Sequence, residues 1–403
     1  MGNDVTGQAH IIGLTGSFGS GCTYIGQNIL EKRGYQPISL SKILRERFRE
    51  EKKQDPSACH RRDLQDFGDE LRKKEGHGFL AEEALRKIRE KTGTAEQKWI
   101  VDSIRNPAEV QALRNFSQHF FLFGIYADKD LRWKRVEGKY DGDSKRFNED
   151  DANDTGESSE SHGQKVGACF YGADVVISNS EHITTVDNED FRKLEGRINK
   201  YVDLVSNPLT KNKPIRPEEA LMAMAYAASQ QSSCLKRKVG ALIVDEFGSV
   251  ISSGVNEVPM AEKPCQQEYR DCHRDKLSKD FCKTLRAQIP DIGDNAERAR
   301  DLFRKHFKML DYCRALHAEE TAIVNLARTG RAVSLDRCTL YTTTYPCRLC
   351  ANKITTIGIK RVVYLEPYPD QEAKIILKNG SVRDEFFEGV TFKAYFRIYG
   401  EER

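Results

Sequence analysis

The sequence predicts an α/β protein of two domains, and three observations carry that expectation. Near the N-terminus an apolar run, Ile11-Ile12-Gly13-Leu14, leads through a glycine-rich stretch into a helical pattern that reaches about Lys32. That order reads as strand, turn and helix of a parallel sheet. In the second half, β-branched and aromatic runs at Leu340–Thr344 and Lys360–Leu365 flank a helical segment and read as strands of another sheet. Between the halves, three prolines from Pro208 to Pro217 interrupt otherwise helical patterns. The boundary is placed there, giving domains over 7–207 and 213–403.

Composition narrows the classes. The 403 residues suit two or three domains, and 38% hydrophobic content is enough for real cores. No apolar run approaches the ~18–20 residues of a membrane span. Met1 to His10 is polar and has no signal-peptide pattern. Eleven cysteines without secretory features point to the cytoplasm, and to thiol or metal chemistry rather than disulfides. Residues 213–403 carry 31 Lys and Arg against 26 Asp and Glu. That excess is too mild to mark a nucleic-acid groove.

In the first domain the stretch Gly16-Ser17-Phe18-Gly19-Ser20-Gly21-Cys22-Thr23 fits the phosphate-binding pattern G-x-x-x-x-G-K-[ST], except that Cys22 stands where the pattern has lysine. Its backbone N–H groups suit a nucleotide phosphate, and Thr23 takes the Mg²⁺-ligand position. The ammonium that reaches the outer phosphates is missing. Nucleotide binding, structural or regulatory, without efficient phosphoryl transfer is the expectation. A retained scaffold that binds nothing is the alternative. Further on, Asp141 to Gly163 holds eight acids against two bases and almost no apolar residue. It is expected to be a mobile insert.

The second domain opens with a helical run, Pro217 to Gln231. Val239–Val244 and Ser249–Val255 read as a strand pair across Glu246-Phe247-Gly248. An unusually long insertion, 260–312, follows. It carries Cys265, Cys272, His273, Cys282 and His306, with Cys313 just beyond. These are either soft donors for a second, structural zinc or a set of free thiols. Ala318 to Ala327 is a helical run opened by His317, with Gly330 as its stop. Pro346 suits the first turn of a second helix, Cys347 to about Thr356, ended near Gly358. Val390 to Ile398 reads as the last strand.

The chemistry lies on those two helices. His317, Cys347 and Cys350 offer one nitrogen and two sulfurs, a donor set for four-coordinate zinc with one position left open. Both thiols lie near a helix N-terminus, which favours thiolates. Glu319, two residues after His317, is placed as general acid and base. A lone Cys-x-x-Cys also suits a redox pair or a structural zinc, but the neighbouring His-x-Glu favours the catalytic reading.

The pattern H-x-E…P-C-x-x-C resembles the zinc nucleobase deaminases. From about Lys213 the chain is similar to the cytidine-deaminase-like fold, an α/β/α arrangement. Within that fold, Ser232-Ser233-Cys234-Leu235-Lys236-Arg237-Lys238-Val239-Gly240-Ala241 and Gly254-Val255-Asn256-Glu257-Val258-Pro259 resemble deoxycytidylate deaminases. So does the turn Glu366-Pro367-Tyr368-Pro369. The resemblance implies Ser233, Arg237, Asn256 and Tyr368 as substrate-binding residues. It also implies that related enzymes can hold a second zinc near the insertion.

The first domain resembles the nucleoside-phosphate-kinase branch of P-loop proteins over about Gly7 to Val205. Ser39–Leu44 and Leu64–Arg72 look like its substrate-side helices, Val101 to Asn106 like its third strand, and Ala173 to Asn179 like its last. The resemblance makes Arg105, Arg132 and Arg135 candidate phosphate and lid residues. A P-loop kinase-like domain fused to such a deaminase resembles the bacterial anti-phage dCTP/dCMP deaminases. That implies zinc-dependent conversion of dCTP or dCMP to deoxyuridine nucleotides and depletion of dCTP during infection. A homo-oligomer and a regulatory nucleotide, RNA or phage-made trigger are separate expectations, which the resemblance does not itself imply. Three rival readings remain open: a deaminase acting on RNA or single-stranded DNA, a guanine deaminase, and a nucleotide sensor with only structural zinc.

Overall fold

The computed structural model describes residues 9–399 apart from 57–58, 60, 92–96, 156–164, 182–187, 207–214, 289–311, 331–332 and 368–369. His306, Tyr368 and residues 156–163 of the acidic segment therefore lie outside the described residues, as does most of the proline-interrupted stretch. The chain forms two compact units, one of residues up to 215 together with those from 388 onward, the other of Arg216–Phe387.

The first unit is built on parallel strands β1 (His10–Thr15), β2 (Gln36–Ser39), β3 (Lys98–Asp102), β4 (Phe120–Tyr126) and β5 (Val175–Ser178). Their spatial order is β5-β4-β1-β3-β2. β1 pairs with β3 on one side and β4 on the other, both parallel. Connections therefore diverge at the carboxyl end of β1, the place where open α/β sheets take ligands. β1 is buried along its whole length, as is β4 up to Ile125. Continuous apolar runs of this kind suit strands covered on both faces. Ile12, Leu14, Phe123 and Val175 pack with Leu194, Ile198 and Tyr201 of the helix Glu189–Ser206 in one core.

The described part of the acidic segment, as far as Thr155, departs from expectation. Ser144–Thr155 is a helix. Phe147 is buried with Val136 and Tyr140. Asp151 accepts two hydrogen bonds from Arg132, at 2.6 and 3.1 Å, and Asp150 accepts one from the Tyr140 hydroxyl at 2.9 Å. The composition of the segment hides these partners, because they lie earlier in the chain.

The second unit holds β6 (Gly240–Val244), β7 (Val250–Val255), β8 (Thr339–Thr344), β9 (Arg361–Glu366) and β10 (Arg383–Phe386), in the order β10-β9-β8-β6-β7. β6 pairs antiparallel with β7 and β8, while β8, β9 and β10 run parallel. The β6–β7 turn has Gly248 at φ 84°, in the left-handed region that glycine tolerates. The helix Ala318–Thr329 lies directly on the β7 backbone. A Cβ built on Gly254 would stand 2.2 Å from the Ala318 carbonyl oxygen and 2.3 Å from the Ala322 nitrogen. The protein is thus mixed α/β with two sheets. Among the described residues no helix is long and apolar enough to cross a membrane.

The C-terminal segment corrects another expectation. Val390 to Ile398 is not a strand of the second sheet. A two-residue strand, β11 (Gly389–Val390), pairs antiparallel with β5 of the first unit, and Phe392–Tyr399 is a helix. Its buried residues are Ala394 and Ile398, four apart on one helical face.

Candidate active site

His317 is the N-cap of the helix Ala318–Thr329, with extended backbone, and Gly330 closes that helix at φ 63°. Cys347 is the N-cap of the helix Arg348–Thr356, and Cys350 lies in its first turn. Pro346 precedes this N-cap instead of sitting within the first turn. Both donor-bearing helix starts follow from the local sequence, and the β7 contact described above fixes the first of them.

The His317 Nδ1 lies 3.3 Å from both the Cys347 and the Cys350 Sγ. Among the described residues these three are the one group of His, Cys, Asp and Glu whose donor atoms all lie within 4.8 Å of one another. A tetrahedral zinc with Zn–N near 2.0 Å and Zn–S near 2.3 Å sets nitrogen and sulfur roughly 3.6 Å apart. The observed separations are a few tenths of an ångström shorter, so the three side chains fit the ion. The Cys350 hydrogen bond, helped by His317, pulls the Cys347 thiol down to about 4. The His317 imidazole is raised in turn by Cys347. A thiolate is already favoured in this cluster.

Glu319 is 4% exposed in the first turn of its helix. Burial raises its pKa above the ordinary carboxyl value. Its oxygens lie 3.5 Å from Cys350 Sγ and Thr342 Oγ1. A buried carboxyl of raised pKa is suited to taking up a proton and giving it back.

His317, Glu319 and Cys347 line a cavity of about 270 Å³. Lys236, Arg237 and Arg274 also line it, as do Asn256 and Tyr345. Arg237 is paired with Glu366 at 2.9 Å, and Lys236 with Asp275. Arg274 has no ion-pair partner among the described residues. Tyr345 donates its hydroxyl to Asp384 at 2.9 Å and packs edge-on against Tyr364, which stiffens one wall. Sequence reasoning missed Arg274 and Tyr345. Arg274 belongs to the insertion helix His273–Gln288, and no local motif announces it.

Other expected residues are placed differently. The Asn256 amide donates to the Arg237 carbonyl at 2.8 Å and accepts from the Val239 N–H at 2.7 Å, so it braces the start of β6 while facing the cavity. Ser233 is hydrogen-bonded through N–H and hydroxyl to Glu257 and lines a separate, smaller cavity of about 20 Å³. Cys265, Cys272, His273 and Cys313 surround that small cavity together with Cys234, which sequence reasoning did not count as a donor. Cys282 is buried but does not line it. Among the described residues these thiols do not reach the mutual distances of the His317 cluster.

In the first unit, Gly19 and Gly21 have φ of 83° and 97°, as a tight loop requires. A Cβ on Gly16 would meet the Ile125 carbonyl at 2.4 Å, so the loop after Ser17 turns hard against β4. Thr23 donates to Asp102 at 2.9 Å. Enclosure pushes the Cys22 thiol up to about 11, so it carries no charge toward a phosphate. Arg132 is buried on Asp151 and donates to the Phe18 carbonyl. Arg135 donates to the carbonyls of Gly19, Asn179 and Glu181. These two arginines tie the loop down. Arg105 instead lines a large cavity beside it.

The family described as the cytidine and deoxycytidylate deaminase zinc-binding region matches residues 215–366. The deoxycytidylate deaminase of Enterobacteria phage T2 is 31% identical over 152 residues, 37% of this chain and 79% of that protein. That of Saccharomyces cerevisiae is 30% identical over 206 residues, 48% of this chain and 54% of that protein. Among solved structures, dCMP deaminase from the cyanophage S-TIM5 in complex with dCMP and dUMP is 25% identical, covering 43% of this chain and 100% of that one, with a TM-score of 0.28. The matched stretch contains the His317, Cys347 and Cys350 cluster and the buried Glu319, and through it the chain belongs to the deoxycytidylate deaminase family.

Proposed function

We propose that the second unit hydrolyses the exocyclic amine of a deoxycytidine nucleotide, dCMP in the first place, with zinc held by His317, Cys347 and Cys350. The observation that carries this reading is the buried Glu319 carboxyl beside a three-donor cluster, on a cavity lined by Lys236, Arg237 and Arg274. His317, Cys347 and Cys350 would hold the zinc, which would lower the pKa of water for attack at neutral pH. Glu319 takes the water proton, delivers it to ring N3 and later passes a proton to the departing amine, so that water and the amino-pyrimidine become ammonia and the keto-pyrimidine. The cations suit a phosphate, and Arg274 is the one without a partner among the described residues. Tyr345 gives the base a rigid aromatic wall.

The reading extends to dCTP and, by resemblance to the anti-phage enzymes, to depletion of dCTP during infection. The parallel strand order of the first unit and its glycine loop support a kinase-like ancestry. The neutral Cys22 thiol argues against phosphoryl transfer, which depends on charge placed at the transferring group.

The test is ammonia release from dCMP, dCTP, deoxycytidine, guanine and a cytosine-containing single-stranded oligonucleotide. Turnover of dCMP or dCTP is expected. Arg274→Ala should raise KM for the preferred nucleotide about tenfold or more, the cost of losing one charge-assisted contact, and leave deoxycytidine unaffected. Ammonia from the oligonucleotide or guanine alone would sink the reading.

A further inference from the structure

Charge around the cavity of the second unit is balanced unevenly. Lys236, Arg237 and Arg274 line it, and Glu319 is the one acid among its lining residues. Two of those cations are answered by carboxylates that stand behind the lining. Lys236 meets Asp275, and Arg237 donates to the Glu366 Oε1 at 2.9 Å. Arg274 meets none among the described residues.

The two pairs differ in how much water they see. The side chains of Lys236 and Asp275 are 45% and 36% exposed, whereas that of Glu366 is 20% exposed. An exposed pair is screened by water and salt and changes the local field little. A half-buried carboxylate is screened less. Burial pushes the Glu366 carboxyl up from its ordinary value, and the Arg237 charge and the Thr344 hydroxyl oppose that rise. Thr344 Oγ1 lies 3.4 Å from Glu366 Oε2 and itself lines the cavity. Glu366 is therefore one side chain removed from the ligand space on two sides.

The ion pair is not needed to set the path of the chain. The Arg237 carbonyl accepts from the Asn256 amide at 2.8 Å, and the oxygen of that amide accepts from the Val239 N–H at 2.7 Å. Glu366 stands opposite Thr344 in the pairing of β8 with β9, and its carbonyl accepts from the Tyr345 N–H at 2.8 Å. Backbone contacts hold both residues in place. What the side-chain pair adds is a charge balance at the cavity wall.

That balance acts on the ligand. The guanidinium fork matches a phosphate, but on Arg237 its charge is already answered by Glu366. A second anion laid against the pair meets the carboxylate as well, and like charges placed together are a source of discrimination. A triphosphate brings about two more negative charges than a monophosphate, since each phosphate group carries roughly one to two. The penalty therefore falls harder on a triphosphate than on a monophosphate, and not at all on a nucleoside.

We propose that Glu366 is a specificity-determining residue: by occupying Arg237 it weights the cavity toward the less charged of the deoxycytidine nucleotides. It acts through Arg237 and positions charge without touching the substrate. The proposal rests on the deaminase reading and adds to it the side chain that sets the balance between dCMP and dCTP.

The experiment measures kcat and KM of the full chain for dCMP, dCTP and deoxycytidine by ammonia release. In Glu366→Gln the ratio of kcat/KM for dCTP to that for dCMP should rise about tenfold, chiefly through a lower KM for dCTP, with deoxycytidine unchanged. Glu366→Thr, a second neutral variant, should act in the same direction. Glu366→Asp keeps the charge and should keep the wild-type ratio. Asp275→Asn, in the exposed pair, should move the ratio less than Glu366→Gln does. Arg237→Gln combined with Glu366→Gln removes both charges together and should return the ratio to near its wild-type value. The proposal is overturned if the neutral variants leave the ratio unchanged or lower it, or if Glu366→Asp shifts it as far as Glu366→Gln. It is equally overturned if Asp275→Asn shifts it further, or if the double variant keeps the raised ratio. Wild-type protein that releases ammonia from neither nucleotide removes the deaminase reading and this proposal together, whereas wild-type turnover with an unmoved ratio removes this proposal alone.

Discussion

Glu319 is the residue whose removal separates binding from chemistry. Glu319→Gln keeps the shape and loses the proton carrier. Turnover should fall by roughly 10²–10⁴, the usual share of general acid–base catalysis, while the metal content of the purified protein stays at its wild-type value. Cys347→Ala in parallel should lose the metal as well as turnover, which elemental analysis distinguishes. A folded Glu319→Gln protein with near-normal ammonia release would show that the proton moves by another route. His317, Glu319, Cys347 and Cys350 were legible in the sequence because each pair is set by one helix start, so spacing alone fixes it. Arg274 and Tyr345 were not, since their place at the cavity comes from the insertion helix and from packing between neighbouring strands. Asn256 is marked by a motif and lines the cavity, with one amide N–H on the Arg237 carbonyl and its oxygen accepting from Val239.

The site depends on how closely the helix Ala318–Thr329 approaches β7. With Gly254 under the Ala318 carbonyl, any larger side chain must push the helix, and His317 with it, away from the sheet. Gly254→Val should cost about 1–3 kcal/mol or more and lower zinc occupancy along with the melting temperature. A Gly254→Val protein of wild-type stability and metal content would contradict this account of the packing. The helix Ser144–Thr155 offers a second check. Arg132→Met leaves the Asp151 carboxylate buried without its main partner, with Lys129 at 3.6 Å as the remaining cation. Denaturant unfolding should show a loss of about 3–5 kcal/mol for the first unit, and Arg132→Met combined with Asp151→Leu should recover much of it. Periodicity explains which elements were readable. The strands flanking the cysteine helix are short and bounded by turns. Phe120–Tyr126 is a continuous apolar run, which carries no period to distinguish a covered strand from a buried helix. Val390, Phe392, Ala394, Phe396 and Ile398 alternate as a strand would. The helix forms because Ala394 and Ile398 pack four apart on one face and Arg397 reaches Asp174 at 2.9 Å, leaving Phe396 83% exposed.

At the level of the chain, the first unit is discontinuous, leaving at 215 and resuming at 388. Ending the chain at Phe387 removes β11 and the helix that buries Val390, Ala394 and Ile398. Three such side chains are worth roughly 3–6 kcal/mol. Calorimetry should then show the first unit melting earlier, while the second keeps its zinc and its turnover. Loss of both would mean that the second unit needs the tail. The proline-interrupted stretch motivated the expected boundary, whereas the return of the tail left no mark in the sequence, because two residues of strand pairing leave no pattern. The ordering also acts on the nascent chain. β5 is synthesised before residue 179, whereas the strand that covers its free edge follows all of residues 216–387. At about 5–20 residues per second, the ribosome spends roughly 10–35 s making the second unit. Throughout that interval the β5 edge offers unpaired backbone groups, the kind of template on which other chains pair and aggregate. Yield in the cell should therefore depend on how fast this stretch is translated, and slow codons within it should lower the soluble fraction without changing a single residue.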